Sequence, residues 1–221
     1  ARLIKSGAND FLAKPFQREE LYCRIAQNLE TLEYIKQLNS SLHTIQQMNT
    51  KMKQDLDAAA KLQQSLMPDS LPEPPGVGLA SLFRPCDELA GDTYNAFLLG
   101  ENHLAVYILD VSGHGVPSAL LSVTLTRIMS PGVSGSLLDV DGSLLVEKDD
   151  SIQGYRILEP AEVCALLNKR FPMNPETFQY FTLAYGLLDL RTGRFHYATA
   201  GHPGPVHLSP GKKPATYAAM N

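Results

Sequence analysis

Between Gln17 and Met67 the chain contains neither glycine nor proline, and the segment is rich in Leu, Gln, Lys and Glu. A stretch that long without a breaker predicts one long helix. From Ile35 its apolar residues fall in pairs seven apart: Ile35/Leu38, Leu42/Ile45, Asn49/Met52, Leu56/Ala59 and Gln63/Leu66. Five heptads outlast an ordinary globular helix of about 10–14 residues, so the spacing predicts a dimeric coiled coil rather than an amphipathic helix lying on its own core. Asn49 and Gln63 are polar at a positions, and a buried Asn pair fixes register at some cost in stability. Before Ile35 the stripe is broader (Leu21, Ile25, Leu29, Leu32), which predicts packing on its own domain first.

Apolar content of 44% and charged content of 19% in 221 residues indicate a globular protein with a real core. The net charge is −4 and no Lys/Arg stripe occurs, which argues against nucleic-acid binding. No apolar run approaches the roughly 20 residues of a membrane span. Ala1-Arg2-Leu3-Ile4 is neither an initiator sequence nor a signal peptide, so the chain is expected to start mid-protein. Three widely spaced cysteines, Cys23, Cys86 and Cys164, fit ordinary thiols in a reducing, cytoplasmic setting.

After the helix, Pro68 to Pro75 carries four prolines and marks a break. Alternation then predicts strands over Val77–Phe83, Asp92–Leu99 and His103–Val111, a helix over Pro117–Met129, and a second helix over Pro160–Arg170 opened by its proline. A hairpin is expected over Phe181–Leu190 and Phe195–Ala200, and a last strand over Val206–Leu208. Residues 131–158 are rich in Gly, Ser and Asp and read as a surface insertion. Asp139-Val140-Asp141-Gly142 lacks the further acidic positions of a calcium loop. Ahead of the long helix, a turn over Gly7–Asp10 and a short strand Phe11–Ala13 lead to Lys14-Pro15-Phe16.

Asp92 and Asp110 end adjacent expected strands, with Gly91, Gly113 and Gly115 beside them. Mg²⁺ and Mn²⁺ prefer oxygen ligands and keep water, so two neighbouring carboxylates suit part of such a site. From spacing alone a turn or cap role is the commoner one for each Asp.

Order adds what spacing lacks. Asp87-Glu88-Leu89-Ala90-Gly91-Asp92-Thr93-Tyr94-Asn95, Asp110-Val111-Ser112-Gly113-His114-Gly115 and Ala200-Gly201-His202-Pro203 occur in sequence. They follow Ala60-Lys61-Leu62-Gln63-Gln64-Ser65-Leu66-Met67-Pro68, and Phe181-Thr182-Leu183 and Leu188-Asp189 lie between the later two. Together these resemble the metal-dependent PPM serine/threonine phosphatases, in their bacterial SpoIIE/RsbU-like branch, over roughly residues 58–210. The resemblance implies an α+β fold, the PPM-type α-β-β-α sandwich, holding two Mn²⁺ or Mg²⁺ ions. It implies that Asp110 bridges the metals, that the Val111 carbonyl adds an oxygen, and that Asp92 binds or orients metal-bound water. That water would attack a phosphoserine or phosphothreonine directly.

His114 is expected to form the turn beside the metal rather than act as general acid, and His202 to be a structural hydrogen-bonder rather than a ligand. Asn95 stands where many relatives carry Asp, which removes one negative charge and a contact to metal through water. The acidic pair Asp87-Glu88 reads as a solvated loop. The family's later ligand motifs, a Thr-Asp-Gly turn and a final Asp, do not occur before Asn221, so the sandwich and its metal site are expected to be incomplete and this fragment inactive.

Ser6-Gly7-Ala8-Asn9-Asp10-Phe11-Leu12-Ala13-Lys14-Pro15-Phe16, followed by a helix from Arg18, resembles the end of a response-regulator receiver domain. The resemblance makes Lys14 its phosphate-contacting lysine and Lys14-Pro15 an often cis peptide. The expected organisation is a receiver end (1–30), a coiled-coil linker helix (31–68) and a C-terminally truncated phosphatase domain (69–221). The partners it implies are a second copy through the coiled coil, an upstream histidine kinase or phosphotransfer protein, and a phosphorylated anti-sigma-factor antagonist as substrate. The competing expectation is a receiver-controlled module that sequesters that antagonist without catalysis.

Overall fold

The computed structural model describes residues 10–84, 89–130, 143–149, 154–173, 175 and 179–217. Cys86, the Asp87-Glu88 pair, the Asp139–Gly142 stretch and most of the Gly7–Asp10 turn lie outside the described residues. The chain divides into two compact units, residues 1–55 and 56–221.

In the first unit, helix α1 begins; it runs Arg18–Gln64 as one element, as the absence of breakers predicts. Glu19 and Glu20 sit in its first turn, where carboxylates complement the helix dipole. The Lys14–Pro15 peptide is cis. Phe11–Ala13 is not a strand, because no ladder partner lies beside it among the described residues. The segment is held instead by Asp10, whose carboxylate accepts two bonds from Arg24 Nη1 at 2.9 and 3.0 Å. Leu38, Leu42, Ile45 and Met52 remain 48–61% exposed, so the heptad stripe is uncovered by its own unit.

The second unit contains the last turns of α1, and here the heptad expectation fails. Gln63 is buried within its own chain rather than placed at a polar a position between helices. Leu56 and Ala60 pack on Leu89 and Ala119. Leu56, Ala60 and Gln63 at the end of α1 thus pack within the globular unit, while Ala59 and Leu66, the expected d positions, stay exposed.

That unit is built on an antiparallel sheet of β1 (Thr93–Leu99), β2 (His103–Val111), β5 (Phe181–Asp189) and β6 (Phe195–Ala200), in spatial order β1-β2-β5-β6. Helices α2 (Val116–Ile128) and α3 (Pro160–Arg170) match the expected spans to within a residue. Short pairs β3 (Val146–Asp149) with β4 (Gly154–Ile157), and β7 (Val206–His207) with β8 (Ala215–Thr216), complete the described strands.

Alternation along β2 and β5 decides which side is core. Ala105, Tyr107, Leu109 and Val111, with Leu183, Tyr185 and Leu187, face Leu125, Ile128 and Met129 at the end of α2 and Val163 and Leu167 of α3. Tyr107 pairs with Tyr185 across the two strands, and both are fully buried. Neither phenolic oxygen completes a hydrogen bond among the described residues. The opposite face carries Val106 and Ile108, and Ile108 is 54% exposed at the sheet centre. The described residues thus form one layer of sheet under one layer of helices; a second sheet layer of the expected sandwich is not among them.

Two further expectations change. Val77–Phe83 is not a strand. It reaches β1 through side chains, with Ser81 Oγ 3.0 Å from the Tyr94 hydroxyl and the Phe83 ring 6.0 Å from that of Tyr94, and builds no backbone ladder. The 131–158 stretch is not wholly surface loop, since its second half is the β3–β4 hairpin, with Leu145 and Leu158 in the main core. Arg156 ties that hairpin to α3 through Glu147 and Glu162, each at 2.8 Å. A reciprocal capping box between Glu159 and Glu162 starts α3.

Candidate active site

Asp110 is the penultimate residue of β2 and pairs in register with Thr182, on the same side of the sheet as Ile108. Asp92 immediately precedes β1, which runs antiparallel to β2, so the two carboxylates meet at one end of the sheet. Gly91 makes the approach possible: a Cβ there would lie 2.7 Å from the Val111 carbonyl oxygen and 3.4 Å from Ser118 Cβ. The loop bearing Asp92 therefore rests directly on the Val111 carbonyl. Beyond Val111 the chain turns through Ser112, whose N–H donates to Tyr180 O at 2.8 Å while its Oγ accepts the Tyr180 N–H at 3.0 Å. Gly113 and Gly115, with φ of 86° and 81°, complete the turn into α2.

From the other side Gln63 fixes the approach to Asp92. Its Nε2 donates to Ala90 O at 2.6 Å and to Ser122 Oγ at 2.9 Å, and its Oε1 accepts the Ala90 N–H at 3.1 Å. The end of α1, the loop before Asp92 and α2 are thus joined through one side chain.

Burial raises the Asp92 pKa, and the hydrogen-bonding proximity and charge of Asp110 raise it further, while His202 opposes the shift. Asp92 still keeps an exposed rim position, so the cause is crowding by a like charge and partial desolvation rather than deep enclosure. Both carboxylates line a cleft of ≈ 780 Å³ on the open face of the sheet, together with Tyr94, Ile108, Tyr197 and His202.

Of the residues singled out in the sequence, Asp92 and Asp110 line this cleft; Val111 is buried in the core beneath it, with its carbonyl beside Gly91. His202 joins them, although its sequence context suggested only a structural role. His114 is exposed in the turn and does not line the cleft. Asn95 pairs with Tyr107 on the helix-covered face, and its Oδ1 accepts the Ala96 N–H at 2.8 Å, so it is turned away from Asp110. Gln63 was legible only as a heptad position, and nothing in its spacing pointed to a contact within its own chain. Lys14 lies in the first unit and is exposed.

Among the described residues no cluster of three or more His, Cys, Asp or Glu side chains is placed to hold a metal. Two like-charged carboxylates pressed together beside a backbone carbonyl are nevertheless a donor set suited to a hard divalent cation that retains water.

Comparison with known proteins makes this specific. The model of the family described as "Stage II sporulation protein E (SpoIIE)" matches residues 100–219. The chain therefore belongs to the SpoIIE family of PP2C-type phosphatase domains. It is similar to phosphoserine phosphatase RsbP of Bacillus subtilis (strain 168), with 29% identity over 161 residues covering 72% of this chain and 35% of that protein. It is also similar to phosphoserine phosphatase RsbU of the same organism, with 26% identity covering 73% of this chain and 42% of the relative. Protein IcfG of Synechocystis is 30% identical over 162 residues, covering 70% of this chain and 25% of that protein. The chain thus spans well under half the length of these relatives. Among solved structures, the SiaA-PP2C domain of Pseudomonas aeruginosa aligns with a TM-score of 0.43 and 18% identity, over 69% of this chain and 55% of that one. No helix among the described residues is long and apolar enough to cross a membrane.

Proposed function

We propose that this chain carries the carboxylate centre of a metal-dependent serine/threonine phosphoprotein phosphatase. The Asp92–Asp110 pair carries the reading: two carboxylates are held together at the strand ends against their own repulsion, and a cation relieves it. Asp92, Asp110 and the Val111 carbonyl would hold Mn²⁺ or Mg²⁺ as part of a two-ion site. The chemistry such ions supply when bound is activation of water and neutralisation of charge on the phosphoryl oxygens. Asp110, on a central strand, serves as the rigid anchor. Asp92, on a loop tied by Gln63 and seated through Gly91, serves as the adjustable one.

The substrate in this reading is a cytoplasmic phosphorylated anti-sigma-factor antagonist, supported by the phosphoserine phosphatases among the relatives. The N-terminal segment is read as a receiver end with Lys14 at its phosphate, served by a histidine kinase or phosphotransfer protein. The exposed stripe from Ile35 to Met52 is read as a homodimeric coiled coil.

The test is hydrolysis of a phosphoserine peptide by the full-length protein with added Mn²⁺, for wild type and Asp110→Asn. The expected result is metal-dependent turnover lost in the variant. Antagonist binding with no hydrolysis by either form would replace the enzyme with a sequestering module.

A further inference from the structure

The turn at Ala200–Pro203 is built around one contact. Gly201 takes φ +67°, and a Cβ there would meet Thr182 Cγ2 at 3.3 Å, so the turn closes tightly on β5. Leu183 and Gly201 form an isolated parallel bridge, which anchors the turn backbone to the strand. Thr182 Oγ1 then lies 2.8 Å from His202 Nδ1. Because Thr182 is the register partner of Asp110, the imidazole is locked to the same strand end as that carboxylate. His202 lines the cleft with Asp92 and Asp110.

Pinning only Nδ1 leaves Nε2 with no hydrogen bond among the described residues. The three side chains do not converge as a metal-binding set, so the ring's free edge calls for a different occupant of the cleft. The contact fits either direction of the bond; with the Thr182 hydroxyl as donor to Nδ1, the proton of a neutral imidazole sits on Nε2. An N–H donor beside two cation-binding carboxylates is complementary to a group that is all acceptor.

We propose that His202 donates a hydrogen bond from Nε2 to a phosphoryl oxygen of the substrate, with Thr182 as the residue that positions the ring. This rests on the phosphatase reading and adds to it a phosphate contact on the protein, outside the metal ligands.

The experiment measures inorganic phosphate binding to the Mn²⁺-loaded full-length protein by calorimetry, beside Mn²⁺ affinity and the KM and kcat for a phosphoserine peptide. A hydrogen bond to a charged acceptor contributes about 1.5–3 kcal/mol, so His202→Ala should weaken phosphate binding roughly 10- to 150-fold. Mn²⁺ affinity should stay as in wild type. Thr182→Val should raise KM several-fold and Thr182→Ser should restore it. A ring that only braces the turn would lower the melting temperature and leave phosphate affinity alone. Unchanged phosphate affinity in His202→Ala, or in His202→Gln should the alanine variant fail to fold, overturns the proposal. So does loss of Mn²⁺ affinity in step with phosphate affinity, which would make His202 a ligand. The two readings separate: a wild type that hydrolyses nothing yet binds phosphate through His202 removes the phosphatase and keeps the contact.

Discussion

Gln63 offers a sharp test of how the site loop is held. Its amide makes three hydrogen bonds, two to the Ala90 backbone and one to Ser122 Oγ, from a position only 8% exposed. At about 1 kcal/mol net for each bond, truncation removes up to about 3 kcal/mol. Two facts lower that figure. Ala90 is half-buried and can recover water, and Ser122 keeps its bond to Ala119 O at 3.0 Å. The expected cost of Gln63→Ala is therefore about 2 kcal/mol, read as a shift in the urea midpoint of pulse proteolysis. Gln63→Glu adds a signature. One carboxylate oxygen would still accept the Ala90 N–H, but the other would face the Ala90 carbonyl where an N–H donor now lies at 2.6 Å. Only the protonated acid can donate there, so the folded pKa of that Glu should rise. A raised folded value means the native state binds the proton more tightly than the unfolded chain. Stability is then retained at acid pH and lost as pH rises above the unfolded value of about 4.3. A Gln63→Ala cost below about 0.5 kcal/mol, or a Gln63→Glu stability flat between pH 4 and 8, would refute the reasoning.

Three further outcomes are expected. Asp110→Asn should raise the melting temperature of chelator-treated protein at pH 7, with the gain shrinking at acid pH as the raised-pKa Asp92 takes up its proton; Mn²⁺ should stabilise wild type and not the variant. Gly91→Ala should cost about 1–3 kcal/mol in denaturant unfolding, because its Cβ would press on a backbone oxygen that cannot rotate aside. Asn49→Ile should tighten self-association about tenfold or more by sedimentation, since it replaces a polar a position with a preferred one; an unchanged association constant would place the seam elsewhere.

Much of this was legible in the sequence because period and punctuation agreed. β2, α3 and β6 fall within their expected limits, each bounded by glycine, proline or a polar turn. Asp92 and Asp110 were legible because a carboxylate at a strand end stays at that end whatever the core does. The hairpin within 131–158 was masked by composition, although Leu144-Leu145-Val146 and Tyr155-Arg156-Ile157-Leu158 stand either side of a polar turn and were a usable signal. Val77–Phe83 has strand composition, but composition cannot say whether a ladder partner is within reach. Gln63 and His202 show the deeper limit. A polar residue on an apolar stripe needs a partner, and sequence does not tell whether that partner is another molecule or a loop 27 residues along. Likewise Ala-Gly-His-Pro reads as a turn, and only the register that puts Thr182 opposite Asp110 aims its imidazole into the cleft.

The facing pair Tyr107 and Tyr185 has a spectroscopic consequence. The chain has nine tyrosines and no tryptophan, so its near-ultraviolet absorbance above pH 9 reports phenol ionisation almost alone. Burial pushes both phenols up, and Cys164 and Glu159 push Tyr185 further. These two should stay protonated beyond the ordinary phenol range, and then ionise together as the sheet opens. An alkaline titration would read the integrity of the β2–β5 pair without any label. Its last step would mark the pH at which the strand bearing Asp110 lets go.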